Sequence, residues 1–553
     1  MSPGTTPAPP PAPVTLTGTS PPPSIIAVGA TCAGEVSPPA VREGGRSRRP
    51  WLAVAALALV AALWAVAGSA LFVPRLTDNG DEAVYLLQAE SILSGHLFPP
   101  APEPTRAFLP WLSTTDGRHY VTKYTPVFPG FIAGSRWMFG SDRAALALAA
   151  AGAVAACYHL AREILHRRRD AVVAAAFLAG SPLFAIQSVT YLSYLFNAAL
   201  LMGFAAALLA GARRRSRSLL AFGGFLLGLA LFARPFDAVL FAGPLLGWLV
   251  WSGRHRVRRL VSDAGWIGLG AVPPLASMVV YFQLATGSLF RPPFTFVGPN
   301  DTLGFGPKRM YAEMPFLDYT PGRALLAFGR LTVLTGFWGF GGLLLIGLAV
   351  MGYRSLRGGA GRWLALVAVT VPLGYLFFWG SFSSSEWGGP WRFGPFYWLP
   401  VIIPGSIAAA AGFARLWRWD PVVARFVAAG MAALSLFVTV RALGEHQRFG
   451  AERDRLYAAP LAAAASLDRA VVFLPPLDGP WLLQPFSMAR NATFDGPVVW
   501  AIDRGARQNL DVVRRLSGRT PYRVVPGATR RSPTGLQQLA VVDGRLVPVG
   551  PAQ

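Results

Sequence analysis

What this sequence lacks is charge. Of its 553 residues only 14% are Asp, Glu, Lys or Arg, against about 25% in an ordinary soluble domain. Several water-soluble globules could not be covered with so little. The 53% hydrophobic composition and mean hydropathy of +0.42 instead assign much of the surface to lipid. Acidic residues are the scarcer sign, 27 against 50 basic, for a net charge of +23. That excess would suit nucleic acid, but its distribution excludes a nucleic-acid partner. The arginines sit in short clusters between apolar runs of about twenty residues, as topology determinants do. The two cysteines, Cys32 and Cys157, give neither a disulfide framework nor a zinc spacing. His96 and His119 show no metal-ligand spacing, and no P-loop or dinucleotide fingerprint is present. Nor does one half of the chain repeat in the other.

What is present is a series of apolar runs. Residues 1–48 are rich in Pro, Ser, Thr and Ala and are expected to be a disordered cytoplasmic segment. The first run, 51–72, is too long for a signal-peptide core of 7–15 residues and follows a basic cluster, so it reads as a true span. Further runs at 144–164, 171–189, 193–210, 219–233, 238–251, 264–284, 336–353, 363–382, 396–416 and 422–440 bring the expected number of transmembrane helices to about eleven. Basic clusters at 166–169, 213–217, 254–259, 354–362 and 415–418 all fall inside if the N-terminus is cytoplasmic. The expectation is an all-α polytopic protein of the cytoplasmic membrane, its membrane domain spanning 49–442. Long outer loops occupy 73–143, 287–322 and 383–395. The tail, 443–553, carries strand-like runs at 470–473, 498–501 and 538–542 and a helix-like stretch at 509–516. It is expected to form a small α/β domain on the outer face.

The first outer loop holds the most chemistry. It opens with Asp78, Asn79, Gly80, Asp81 and Glu82. Adjacent carboxylates just outside a span suit a general base, a divalent-cation site, or both. They equally suit the first turn of a helix, where negative charge is favoured. No cofactor follows from the sequence beyond that candidate divalent cation. The loop ends near Lys123-Tyr124-Thr125-Pro126. Lys123 is one of only two lysines, with Lys308, so the background does not supply it casually. An ammonium there suits a phosphate, and equally a solvated interfacial position. Arg234 ends the fifth span, with Asp237 three residues on, and must snorkel or face a polar cavity. Glu386 and Arg392 add a carboxylate and a guanidinium in the last outer loop, beside Trp387 and Trp391, which an aromatic belt would explain. Together these groups fit a reaction in which a lipid phosphate is held while a hydroxyl attacks the group it carries.

At this point the chain resembles the GT-C glycosyltransferase superfamily, on its branch of bacterial relatives of protein O-mannosyltransferases and lipid A aminoarabinose transferases. Gly80-Asp81-Glu82-Ala83-Val84-Tyr85 is similar to that family's acidic motif. Lys123-Tyr124-Thr125-Pro126, followed by Pro129-Gly130, resembles its Lys-x-Pro-Pro segment, with Thr125 in place of the first proline. Ser181-Pro182, Arg234-Pro235 and Gly304-Phe305-Gly306 also match, and the likeness covers roughly residues 71–410. The resemblance implies a many-helix membrane fold with an amphipathic helix over the site. It implies inverting transfer of a sugar from a polyprenyl phosphate to a lipid, glycan or protein acceptor on the extracytoplasmic side. It makes Asp81 the catalytic base and Glu82 its partner, and gives Lys123 and Arg234 to the lipid phosphate. Tyr85, Tyr124, Glu386 and Arg392 complete the candidate substrate-binding set. Tyr191, Ser193 and Tyr194 stand where the family often carries a histidine.

Two other classes stay open. A transporter or flippase of lipid-linked saccharides would call for charges near the midplane and internal repeats, whereas here the charges gather at the ends of the spans. A structural or sensory membrane protein would use its tail to bind cell-wall glycans. Net sugar transfer separates the first reading from both.

Overall fold

Apolar residues in unbroken runs form helices, and proline, glycine and small polar caps decide where those helices stop. The computed structural model describes residues 49–311, 314–356, 358–387, 391–475, 487–488, 490–525 and 534–552. The expected disordered segment lies outside the described residues. The first helix, α1 (Arg49–Phe72), is an Ala/Leu/Val run. The loop after it holds α2 (Asp81–Leu93), the short hairpin of β1 (Ser113–Thr115) and β2 (Tyr120–Thr122), and α3 (Val127–Phe139). Then come α4 (Arg143–Ile164), α5 (Arg168–Ala179), α6 (Pro182–Gln187), α7 (Ser193–Arg214), α8 (Arg217–Ala233), α9 (Pro235–Gly253) and α10 (Val257–Thr286).

Two of the motifs read from the sequence prove to be helix boundaries. Ser181 caps α6, its Oγ accepting from the Phe184 N–H at 3.2 Å, with Pro182 in the first turn. This break divides the run expected at 171–189. Pro235 likewise opens α9 directly after Arg234.

A second loop carries α11 (Pro293–Val297) and the hairpin of β3 (Gly306–Lys308) and β4 (Leu317–Tyr319). The chain continues through α12 (Pro321–Trp338), α13 (Leu343–Tyr353), α14 (Gly358–Ala365), α15 (Val367–Tyr375), α16 (Gly380–Trp387), α17 (Leu399–Trp419) and α18 (Pro421–Ala465). Among the described residues seven helices are long and apolar enough to cross a membrane. Taken as one span, the bent pair α12 and α13 makes an eighth; the two helices turn by 87° where Gly341 and Gly342 take positive φ. The runs expected as single spans at 336–353 and 363–382 are therefore helical but broken. At about 1.5 Å per residue, the 45-residue α18 is roughly 68 Å long, twice the hydrocarbon thickness of about 30 Å, and its far half stands outside the bilayer.

That projecting half leads into a five-stranded mixed sheet ordered β6 (Val498–Ile502), β5 (Ala470–Leu474), β7 (Thr520–Val525), β8 (Gly535–Val542) and β9 (Arg545–Val549). Interior strand β5 is wholly buried and runs parallel to both β6 and β7, as an all-apolar Ala-Val-Val-Phe-Leu strand should. Helix α19 (Ala506–Arg515) lies between β6 and β7 in sequence. Two strands escaped the sequence reading. Pro521 and Arg523 interrupt the apolar pattern of β7. The β8–β9 hairpin turns on Asp543-Gly544, both at positive φ, a signal that was there to be read. Phe108 and Tyr120 of the first loop share one core with Tyr457, Phe473 and Trp500, which joins that loop to the sheet.

Within the bundle, α8 and α10 approach at two glycines. A Cβ on Gly224 would stand 1.9 Å from the Ile267 carbonyl oxygen, and one on Gly270 would stand 1.8 Å from that of Ala221. Gly270→Val should therefore push the helices apart and cost at least about 1–3 kcal/mol. The expected result is a clearly lowered midpoint in a thermal melt of the detergent-solubilised protein, and an unchanged midpoint would contradict this packing.

Candidate active site

The acidic pair opens α2. Successive helical residues are turned by about 100°, so Asp81 and Glu82 leave the backbone in different directions. Glu82 is buried, with 1% of its surface exposed. Its Oε2 accepts from the Thr77 backbone N–H at 2.7 Å and the Thr77 hydroxyl at 2.5 Å, and its Oε1 accepts from the Tyr191 N–H at 2.7 Å. Burial lifts its pKa to about 7, against the pull of those three hydrogen bonds. Glu82 thereby ties the start of α2 to the segment leaving α1 and to the link between α6 and α7.

Asp81 is half-buried and turned elsewhere. Its N–H is held by Asn79 Oδ1 at 3.0 Å. Burial raises its pKa, and the charge of Lys123, the Tyr124 hydroxyl and the charge of Arg234 oppose that rise in decreasing order. The residues that meet here come from three distant segments.

Lys123 follows β2, its N–H bonded to the Leu112 carbonyl at 2.9 Å. Its ammonium is buried 2.6 Å from Asp301 Oδ2 and lies over the Phe294 ring at 4.2 Å. The other Asp301 oxygen accepts from Trp379 Nε1 at 2.7 Å. Tyr124 stacks on Tyr85, ring centres 4.6 Å apart, and the Tyr85 hydroxyl is 3.0 Å from Ser193 Oγ. Arg234 Nη1 donates to the same Ser193 oxygen at 3.4 Å. The Arg234 guanidinium lies 3.9 Å from the Tyr194 ring centre and pairs with Asp237 at 2.5 Å, and Asp237 also accepts from the Tyr375 hydroxyl.

The structure therefore gathers Asp81, Tyr85, Lys123, Tyr124 and Arg234. Glu82 points away into its own hydrogen bonds. Arg392 pairs with Asp78 at 2.6 Å, three residues before Asp81, and so braces the segment that enters α2. Glu386 belongs to α16, but its side chain lies outside the described residues. The sequence reading missed Asp301 and Trp379. The one available signal was an acid, Asp301, in the loop that holds Gly304-Phe305-Gly306. Nothing in the chain places it against a lysine 178 residues away. Among the described residues no group of three His, Cys, Asp or Glu side chains is placed to hold a metal ion.

Comparison with known proteins gives this geometry a context. Residues 123–282 match the family described as dolichyl-phosphate-mannose-protein mannosyltransferase, and residues 470–550 match a domain of unknown function. No curated protein matches the chain. Two solved structures share its fold. ArnT from Cupriavidus metallidurans bound to undecaprenyl phosphate superposes with TM-score 0.55 at 15% identity, over 86% of this chain and 93% of that one. The apo state of the same protein gives TM-score 0.52 at 16% identity, with the same coverage. The chain is thus a multi-pass membrane protein with the fold of ArnT, carrying a small C-terminal sheet domain.

Two measurements test this geometry. Removing only one partner of a buried ion pair strands the other charge. Asp301→Leu should therefore cost about 3–5 kcal/mol in the unfolding free energy of the purified protein, and Lys123→Met added to it should recover most of that loss. Additive losses would mean that the two residues do not form a pair. Glu82 supplies the second test. Its raised pKa means that the native state holds the proton more tightly than the unfolded chain, whose value is near 4.5. Its stabilising effect is complete below about 4.5 and is lost as pH rises through 7. The melting midpoint of the wild type should fall over that window relative to Glu82→Gln, and parallel profiles would show that Glu82 does not titrate there.

Proposed function

We propose that this protein is a glycosyltransferase of the cytoplasmic membrane that moves a sugar from a polyprenyl-phosphate donor to an acceptor hydroxyl on the extracytoplasmic side. One observation carries the reading. A carboxylate of raised pKa, Asp81, faces the buried cation Lys123 and the half-buried cation Arg234, which arrive from separate segments of the fold. A base and a pair of phosphate-binding cations are the two things such a displacement needs. Undecaprenyl phosphate, the ligand bound to ArnT, supports a lipid-linked donor for a chain of the same fold. The expectation that, with eleven spans and a cytoplasmic N-terminus, every basic cluster falls inside supports the sidedness.

In this mechanism Asp81 takes the proton of the acceptor hydroxyl as its oxygen attacks the anomeric carbon. The bond from that carbon to the phosphate oxygen breaks on the opposite face, so the configuration inverts. The electron pair leaves with the polyprenyl phosphate, whose charge Lys123 and Arg234 stabilise. Lys123 first has to share its ammonium between the phosphate and Asp301. A carboxylate with an elevated pKa is the stronger base for the first step. Tyr85 and Tyr124 form the stacked wall beside Asp81 and would bound the sugar.

The test is a transfer assay in proteoliposomes with radiolabelled polyprenyl-phosphate sugars and a crude envelope extract. Asp81→Asn keeps the side-chain shape but removes the base, and should slow transfer by about 10²–10⁴-fold while the protein still inserts and folds. Normal turnover by Asp81→Asn would remove Asp81 from the mechanism.

A further inference from the structure

Helix α2 has a second working face. Tyr85 and Gln88 turn toward Tyr124, Gln88 Nε2 donating to its carbonyl at 2.9 Å. Leu86 and Glu90, one helical turn apart, instead line a cleft of about 780 Å³. The cleft lies between α2, α3, the segment leaving α1, the projecting half of α18 and the residues before β6.

Its walls are chemically unequal. Arg75, Arg136, Arg453 and Arg490 supply positive charge, one from each neighbouring segment. Asp454 is shared between Arg75, with which it forms an ion pair, and Arg453 at 3.9 Å. Arg136 holds Glu90, with Asp142 at 4.0 Å. Arg453 also lies within the field of Glu82 and Asp78. Arg490 is exposed and has no ion-pair partner among the described residues. The apolar part of the lining is Leu86 of α2 with Leu461 and the neighbouring alanines of α18. The end of α3 that supplies Arg136 also exposes Trp137, Met138 and Phe139, residues suited to a lipid interface.

We propose that this cleft binds a lipid-anchored anion, its phosphate or carboxylate headgroup held by Arg490 and its neighbouring guanidinium groups and its chain laid against Leu86 and Leu461. That this ligand is the sugar acceptor rests on the transfer reading above. The reach is suitable, since Leu76 in the cleft and Asp81 are five residues apart, at most about 18 Å along the chain.

The test uses the purified full-length protein in non-ionic detergent and isothermal titration with dihexanoyl phosphatidic acid, dihexanoyl phosphatidylcholine and inorganic phosphate. Two variants lie outside the Asp81 cluster. Arg490→Glu reverses the charge that has no ion-pair partner among the described residues, and Ala462→Trp fills the apolar wall without touching charge. The proposal expects phosphatidic acid to bind the wild type at least about tenfold more tightly than either variant, and more tightly than the other two probes. Equal binding by all three proteins overturns it. So does phosphatidylcholine binding as tightly as phosphatidic acid. Inorganic phosphate binding as tightly as phosphatidic acid, and insensitive to Ala462→Trp, also overturns it by showing a site for a free anion. Running the transfer assay on the same wild-type sample separates the two ideas: intact binding without transfer counts against the enzyme reading alone.

Discussion

The arrangement around Asp81 depends on the carboxylate next to it. Glu82 is buried where it can accept hydrogen bonds from Thr77 and Tyr191, which belong to segments on either side of the first few membrane helices. A buried carboxylate without such donors would be expensive, so the only position α2 can adopt without penalty is the one that satisfies all three contacts. That position fixes the rotation of the helix. Asp81, turned by about 100° from Glu82, is then aimed at Lys123 and Tyr124 with little freedom of its own. One acidic residue fixes the helix and, with it, the direction in which its neighbour points.

The second constraint is charge burial away from water. Lys123 and Asp301 are nearly excluded from solvent, with 5% and 2% of their side chains exposed. Neither loop could bury its charge alone, so loops 73–143 and 287–322 are obliged to close on each other. Trp379 completes the arrangement by donating to the second Asp301 oxygen. Arg234 is handled in the same way, by Asp237 on one side and the face of Tyr194 on the other. Both cations are therefore held in place by the fold itself, and in the proposed reaction a phosphate would meet groups whose ordering cost has already been met.

Much of this was legible in the sequence, for reasons particular residues make clear. Hydropathy located most of the apolar segments, because twenty apolar residues in a row have few alternatives, but it passed over 321–335, most of α12, where Arg323 and Arg330 interrupt the run. It could not show that Gly341 and Gly342 bend one crossing by 87° or that Ser181-Pro182 cuts another, since such breaks leave the composition unchanged. In the tail, β5 announced itself by being wholly apolar, whereas β7 was hidden by Pro521 and Arg523. At the site, the rarity of lysine drew attention to Lys123, and the position of Arg234 at a helix end did the same. The divergence of Asp81 and Glu82 follows from helical geometry and could have been deduced. Asp301 could not, because its partner is set by the way two loops fold over one another.

A single short helix consequently controls two regions of different chemistry. The face with Asp81, Tyr85 and Gln88 meets a buried, aromatic, cation-bearing cluster. The face with Leu86 and Glu90 meets an open cleft whose far side is built by the C-terminal domain. Because Glu82 fixes the rotation of α2, the two faces cannot be adjusted independently. Anything that presses on Leu86 or draws on Arg136, the partner of Glu90, acts on the same rigid element that carries Asp81. The buried core shared by Phe108, Tyr457 and Phe473 makes the sheet a structural wall of this region. A domain attached in this way, at the end of a helix that projects from the membrane, forms one side of the cleft that α2 lines, so its position and that of α2 are mechanically linked.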